Sequence, residues 1–174
     1  MIPVVETERL ILRAHTLEDF SAFAAQRADP AVMKFIGKGD LASEEDAWSK
    51  LQSIAGHWAL LGWGTWAVAE KANGRYIGSI GFADKKRPAE HPASGAPEMG
   101  WSLSAMAQGK GYASEAVRGA IGWGRGYFGA GTRVVCVISD DNIASIRVAE
   151  KNGFRQFAVA KRYGLGRKVF ERAL

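Results

Sequence analysis

The alternation of apolar and polar positions is clearest near the start of the chain. Over Arg9 to Ala14, Leu10, Leu12 and Ala14 face one way while Arg9, Ile11 and Arg13 face the other, which predicts a half-buried strand. The period then lengthens. Thr16 precedes Leu17-Glu18-Asp19, a helix start with early acids, and Phe20, Phe23 and Ala24 share one helical face before a break at Pro30. Ser43 followed by Asp46 resembles a capping box with Asp in place of Glu. The helix it opens carries Ala47, Trp48, Leu51, Ile54, Ala55 and Trp58 at helical spacing. Trp63 to Glu70 and Arg75 to Ala83 then predict two strands. Asn73-Gly74 between them is a hairpin signal, because tight turns need positive φ.

Asp84 to Pro97 holds three prolines and the basic run Lys85-Lys86-Arg87, so it predicts a loop with solvated charges. Glu98 to Leu103 is a short strand. Ala113 to Phe128 predicts a helix with a broad apolar face, although Gly119, Gly122, Gly124 and Gly126 lie inside it. Each glycine costs about 1 kcal/mol against alanine. Tertiary packing must therefore hold this helix, or it ends before Gly126. Thr132 to Ser139 is almost continuously apolar, the pattern of a central strand covered on both faces. Cys136 within it reads as a small buried hydrophobe. Asp141 or Asn142 caps a last helix that ends at Asn152-Gly153, with Phe154 as the apolar contact after it. Two strands follow, Phe154 to Lys161 and Arg167 to Arg172, joined through Gly164 and Gly166. This order predicts a mixed sheet with helices on both faces.

Composition narrows the class. The chain has 174 residues, 47% apolar and 24% charged, which suits one globular domain over 1–174 and argues against disorder. One cysteine excludes an internal disulfide framework and a cysteine-rich zinc site. No apolar run approaches the roughly 20 residues of a membrane span. Met1 to Arg13 lacks the long apolar core of a signal peptide, so a cytoplasmic protein is expected. The net charge of +5 suits an anionic ligand and would also suit nucleic acid. The Lys and Arg residues are scattered with no aromatic–basic stripe, which disfavours nucleic acid. His15, His57 and His91 have neither metal nor triad spacing and read as packing or surface residues, so no metal is expected. Trp63, Trp66 and Trp101 are candidates to line an acceptor pocket.

The segment with chemistry is Gln108-Gly109-Lys110-Gly111-Tyr112-Ala113, between a strand and a helix. Its glycines let backbone approach a ligand, and the helix start offers unpaired N–H groups and a positive dipole end. That combination suits phosphate; the bland alternative is a glycine-rich turn. The Walker pattern is absent. The dinucleotide pattern G-x-G-x-x-G/A fails at Ser114, and an antiparallel hairpin precedes the segment where a buried parallel strand is required.

Gln108-x-x-Gly111-x-Ala113 resembles the Q/R-x-x-G-x-G/A signature of the GNAT superfamily of acyl-CoA-dependent N-acetyltransferases. Glu98 to Leu103 resembles the family's fourth strand. Asn142 to Arg147, followed by Lys151-Asn152-Gly153-Phe154, resembles its N-x-x-S…K-x-G-F segment. The opening Glu6 to Arg13 is similar to the RimJ/RimL-like branch, the ribosomal-protein-alanine N-acetyltransferases. The blocks run in family order across nearly the whole chain. The resemblance implies an α/β (α+β) fold with a mixed, mostly antiparallel central sheet of about seven strands.

It also implies roles. The backbone of Gln108, Gly109, Lys110, Gly111, Tyr112 and Ala113 would bind the pyrophosphate of acetyl-CoA, with Lys110 adding charge. The pantetheine arm would lie between two splayed strands, bonding backbone near Trp101, Ser102 and Leu103. Asn142 would contact the pantetheine or thioester, a role compatible with capping the helix. Glu98 is the candidate general base and Ser145 the candidate acid near the sulfur; Tyr112 and Tyr127, outside the last helix, are less suited. The implied reaction is direct transfer of acetyl to a primary amine, a protein N-terminal α-amine or a small-molecule amine. At pH 7 deprotonating an α-amine costs about 1 kcal/mol and a lysine amine about 4–5, so an α-amine needs only a weak base. Asp84 to Pro97 and Phe35 to Ala42 would shape the acceptor side, in a monomer or homodimer. The competing readings are a CoA-binding GNAT-like module without turnover and a basic ribosome- or RNA-associated protein.

Overall fold

The computed structural model describes residues 1–174. The first strands are β1 (Val5–Glu6) and β2 (Leu10–Arg13). A 3-10 turn at Leu17–Asp19 leads into α1 (Phe20–Arg27), followed by a short α2 (Pro30–Met33) and a long α3 (Glu44–Leu61). Strands β3 (Thr65–Glu70), β4 (Tyr76–Ala83) and β5 (Glu98–Leu103) precede α4 (Tyr112–Phe128). The chain closes with β6 (Arg133–Ser139), α5 (Ile143–Lys151), β7 (Arg155–Arg162) and β8 (Leu165–Ala173).

All eight strands form one sheet in the order β1-β2-β3-β4-β5-β6-β8-β7. Every neighbouring pair is antiparallel except β5 and β6. The sheet is thus mixed and mostly antiparallel, with one strand more than the sequence predicts. The addition is β1, whose two residues pair with Ile11 and Leu12 and are too few to show an alternation. Pro30 begins a helix as well as ending one: it stands in the first turn, and Asp29 accepts the Ala31 N–H at 2.8 Å. The Ser43–Asp46 capping box forms in both directions. The closing hairpin turns through Tyr163 and Gly164, both at positive φ, while Gly166 lies within β8.

Helix α4 runs through all four glycines to Phe128. Two of them are where the helix meets its neighbours. A Cβ at Gly124 would stand 2.9 Å from the Phe82 ring, and one at Gly119 2.9 Å from Thr7. Close approach of helix to sheet offsets the weak helix propensity. The core under α4 includes Leu10, Leu12, Trp66, Ile80, Phe82 and Met99, all at most 2% exposed. Helix α1 covers the opposite face, where Gln26 reaches the side chain of Ser102.

The feature that positions the site is the β5–β6 junction. These parallel strands share a single register pair, Glu98 with Val135, and separate beyond it. Strand β5 ends at the start of the segment that opens α4, and β6 ends beside the start of α5. Two helix N-termini therefore flank the open end of the gap.

Candidate functional site

Between β5 and α4 the chain passes through a 3-10 turn, Ala105–Ala107, and then two left-handed glycines, Gly109 at φ +76° and Gly111 at φ +79°. Gly111 caps α4, and the first hydrogen bond of the helix runs from Glu115 N–H to Gly111 C=O. The N–H groups of Gly109 through Ser114 donate to no other protein group. Six successive donors beside the positive end of a 17-residue helix form a cradle for an anion. The Gln108 amide is turned inward and donates to Leu103 C=O at 3.2 Å, bracing the loop on β5. Lys110 is exposed, and its carbonyl accepts from Arg9 at 3.1 Å.

Glu115, 6% exposed, fixes the start of α4. Its carboxylate accepts from the Thr7 hydroxyl at 2.6 Å, from Arg9 N–H at 2.7 Å and from the Arg9 guanidinium at 2.7 Å. Burial opposes its charge, but these bonds outweigh it and hold the carboxyl below the usual range. Arg9 also lies over the Tyr112 ring, 4.6 Å from its centre. The chain segment around residues 7–9, read from the sequence only as part of a family-like opening, thus anchors the anion cradle. Residues 106 and 108 positions apart make these bonds, and no local pattern reveals them.

Within the gap, backbone direction follows from pairing. Ser104 N–H donates to Ile77 C=O, so Ser104 and Ser102 direct their backbone groups at β4. Those of Trp101 and Leu103 face β6. Leu103 C=O is taken by Gln108, which leaves Trp101 as the β5 residue best placed to pair with an extended ligand. Ser102 is turned away: its carbonyl and hydroxyl both accept from Gln26, at 3.0 and 3.1 Å. The bond passes on through Tyr76 to Ser79 and His15.

The gap opens into a cleft of about 180 Å³ that brings together four of the expected residues, Glu98, Trp101, Asn142 and Ser145. Asn142 caps α5 by accepting Ser145 N–H at 3.1 Å, which leaves its amide NH2 free for the cleft. The Ser145 hydroxyl makes no bond within the protein. Glu98 is gripped by Arg87, whose guanidinium reaches both carboxylate oxygens at 2.6–2.9 Å. Both side chains are nearly buried. Arg87 is therefore not the solvated loop residue its basic run suggests. Arg167, 6% exposed, donates to Ser139 Oγ at 3.1 Å and to Gly37 C=O at 2.9 Å. It ties the segment Phe35–Gly37 over the cleft. Neither arginine was marked by any sequence motif.

Other expectations sort plainly. Trp66 is fully buried against Trp58 and Trp123 and lines no cleft. Trp63 lines a separate cavity of about 430 Å³ beneath the loop after β4, with Phe128. His57 accepts Asp84 N–H at Nε2, so its Nδ1 donates to Trp63 C=O at 2.7 Å; it is a packing residue. Burial pushes the Cys136 thiol well above its ordinary pKa, with Glu98 acting in the same direction.

Comparison with known proteins agrees with this geometry. The family described as Acetyltransferase (GNAT) domain matches residues 9–155. The chain is 31% identical over 166 residues to the uncharacterized N-acetyltransferase YoaA of Bacillus subtilis (strain 168), covering 94% of this chain and 89% of that one. An acetyltransferase from Agrobacterium tumefaciens str. C58 superposes with a TM-score of 0.82 at 27% identity, covering 99% of this chain and 95% of that one. A RimL ribosomal L7/L12 α-N-protein acetyltransferase in complex with coenzyme A gives 0.80 at 18% identity, covering 99% and 98%, a likeness of fold. No helix is long and apolar enough to cross a membrane.

Proposed function

Because the chain belongs to the GNAT acetyltransferase family, we propose that it transfers acetyl from acetyl-CoA directly to a primary amine. The observation that carries this reading is the run of six unpaired N–H groups, Gly109 to Ser114, at the open end of the β5–β6 gap. A diphosphate fits that cradle, because its oxygens accept from successive backbone N–H groups at a helix N-terminus. Gly109 has no atom within 4 Å of a Cβ position, so the approach is clear. The pantetheine arm would pair with Trp101 backbone, and the Asn142 amide would donate to its carbonyl.

Acetyl-CoA supplies an activated thioester. The carbon–nitrogen bond forms as the carbon–sulfur bond breaks. The amine proton leaves toward Glu98, and the thiolate takes a proton from the Ser145 hydroxyl, which recovers one from solvent. The Arg87 guanidinium holds both carboxylate oxygens of Glu98 in place at the edge of the cleft. At pH 7 a peptide-type α-amine, with pKa about 7.7–8.0, gives up its proton far more readily than a lysine side chain at about 10.4. The acceptor is then an α-amine, of a protein N-terminus or a small molecule; the RimJ/RimL-like opening supports the first.

The same Arg87 clamp also favours a second reading, a CoA-binding module without turnover. Single-turnover release of CoA thiol, with stoichiometric acetyl-CoA and a panel of α-amines and lysine analogues, separates the two. Amine-dependent release selective for α-amines is expected. Binding of acetyl-CoA with no release in any arm would leave only the module.

A further inference from the structure

We propose that the acceptor side of the cleft is a carboxylate-recognition subsite built on Arg162 and Arg167, so that the acceptor is a small α-amino acid. This rests on the acetyl-transfer reading and specifies its substrate class.

The inference starts from charge. Three arginines line the cleft, Arg87, Arg162 and Arg167, against one acid, Glu98. Arg87 and Glu98 neutralise each other. Arg162 and Arg167 have no acid within ion-pair distance. Arg167 is the more telling, because it is 6% exposed and donates only to neutral oxygens of Ser139, Gly166 and Gly37. A buried guanidinium without a counter-ion is costly, and an anion bound beside it offsets that cost. The nearest acid in sequence, Glu171, pairs with Arg133, and Asp140 packs its carboxylate against Gly166.

A second observation comes from the neighbouring helix. Lys50 on α3 is pushed down to about 8, first by burial and then by the charges of Lys85, Arg27 and Arg162. Arg162, which lines the cleft, thus belongs to a wider group of cations whose other members, Lys50, Arg27 and Lys85, lie outside the lining. The field there attracts an anion.

One feature narrows the acceptor side: Arg167 fastens the Phe35–Gly37 segment across the cleft. The arrangement is complementary to a zwitterion: the Glu98 carboxylate faces an ammonium, while the guanidinium forks match a carboxylate.

The test uses the wild-type protein in low salt, the twenty common amino acids and the carboxamide of each. Thermal shift is read without CoA, and acetyl transfer with acetyl-CoA. At least one amino acid should stabilise the protein and react with kcat/KM at least tenfold above its carboxamide. The amide's less basic amine works against that outcome, so the preference would report the carboxylate. Arg162→Ala should reduce the ratio to about two or less while CoA affinity stays unchanged, and Arg162→Lys should restore part of it. Equal use of acids and amides overturns the proposal. So does stronger turnover of N-terminal peptides than of any free amino acid, or an Arg162→Ala variant that loses CoA affinity in parallel. If acetyl-CoA neither binds nor reacts, the acetyl-transfer reading fails on its own. Arg162-dependent stabilisation by amino acids, read without CoA, would still support the subsite, and its absence would overturn it.

Discussion

Glu98 lines the cleft with both carboxylate oxygens held by Arg87. As a strand-end carboxylate it is legible in the sequence, and its position beside the gap follows from the strand reading. Its grip by Arg87 is not, because that arginine sits eleven residues away in a proline-rich loop. Glu98→Gln should lower kcat at pH 7 by about tenfold or more and have much less effect at pH 9 with a peptide-type α-amine, which is already a free base there. An unchanged pH–rate profile would remove Glu98 as the proton acceptor. His15 makes a second prediction. Burial pushes its pKa down to about 4, the nearby Asp19 only partly opposing this. Its folded value lies below the unfolded one, so the unfolded chain binds the extra proton. Stability is therefore complete above about pH 6.5 and is lost as pH falls toward 4. The loss from pH 7 to pH 5 should be up to about 2 kcal/mol by chemical denaturation, and His15→Phe should abolish most of it. Equal pH dependence in both proteins would contradict the assignment.

Among the elements, α4 is the one whose existence the pattern predicts and whose logic it hides. The apolar stripe is plain in the sequence, and the four glycines read there as a weakness. In the fold they divide by neighbour. Gly124 touches Phe82 and Leu174, whereas Gly122 and Gly126 face open space. Gly126→Ala should thus stabilise by about 0.5–1 kcal/mol through helix propensity. Gly124→Ala should destabilise by about 1–3 kcal/mol through overpacking, despite the same propensity gain. Denaturant midpoints moving in the same direction for both would refute the packing account. The N-terminus of α4 depends on Glu115, which joins Thr7 and Arg9 to the helix. Glu115→Gln keeps the shape but removes the charge. It should cost about 1–3 kcal/mol and weaken CoA binding several-fold, as read by calorimetry. Long-range polar contacts of this kind have no periodic signature, which is why the cradle was legible and its anchor was not.

At the scale of the molecule, the order of strands and helices was readable because apolar runs, caps and turns are local. The two-residue β1 left no pattern, and the closing hairpin turned at Tyr163-Gly164 because one positive-φ residue beside a glycine suffices. The separation of β5 from β6 was expected only through the family resemblance; no residue in either strand announces it. It is nevertheless the feature that sets a backbone cradle beside a polar cleft, as the proposed acetyl-CoA site requires. Titration with acetyl-CoA tests that arrangement most directly. At 100-fold excess over Kd, binding adds about 2.7 kcal/mol, which should raise the Tm by roughly 5–10 °C. Gly111→Val, which puts a branched side chain at φ +79° beside the six amides, should abolish most of that rise. No shift at millimolar acetyl-CoA, or an equal shift in the variant, would contradict the account.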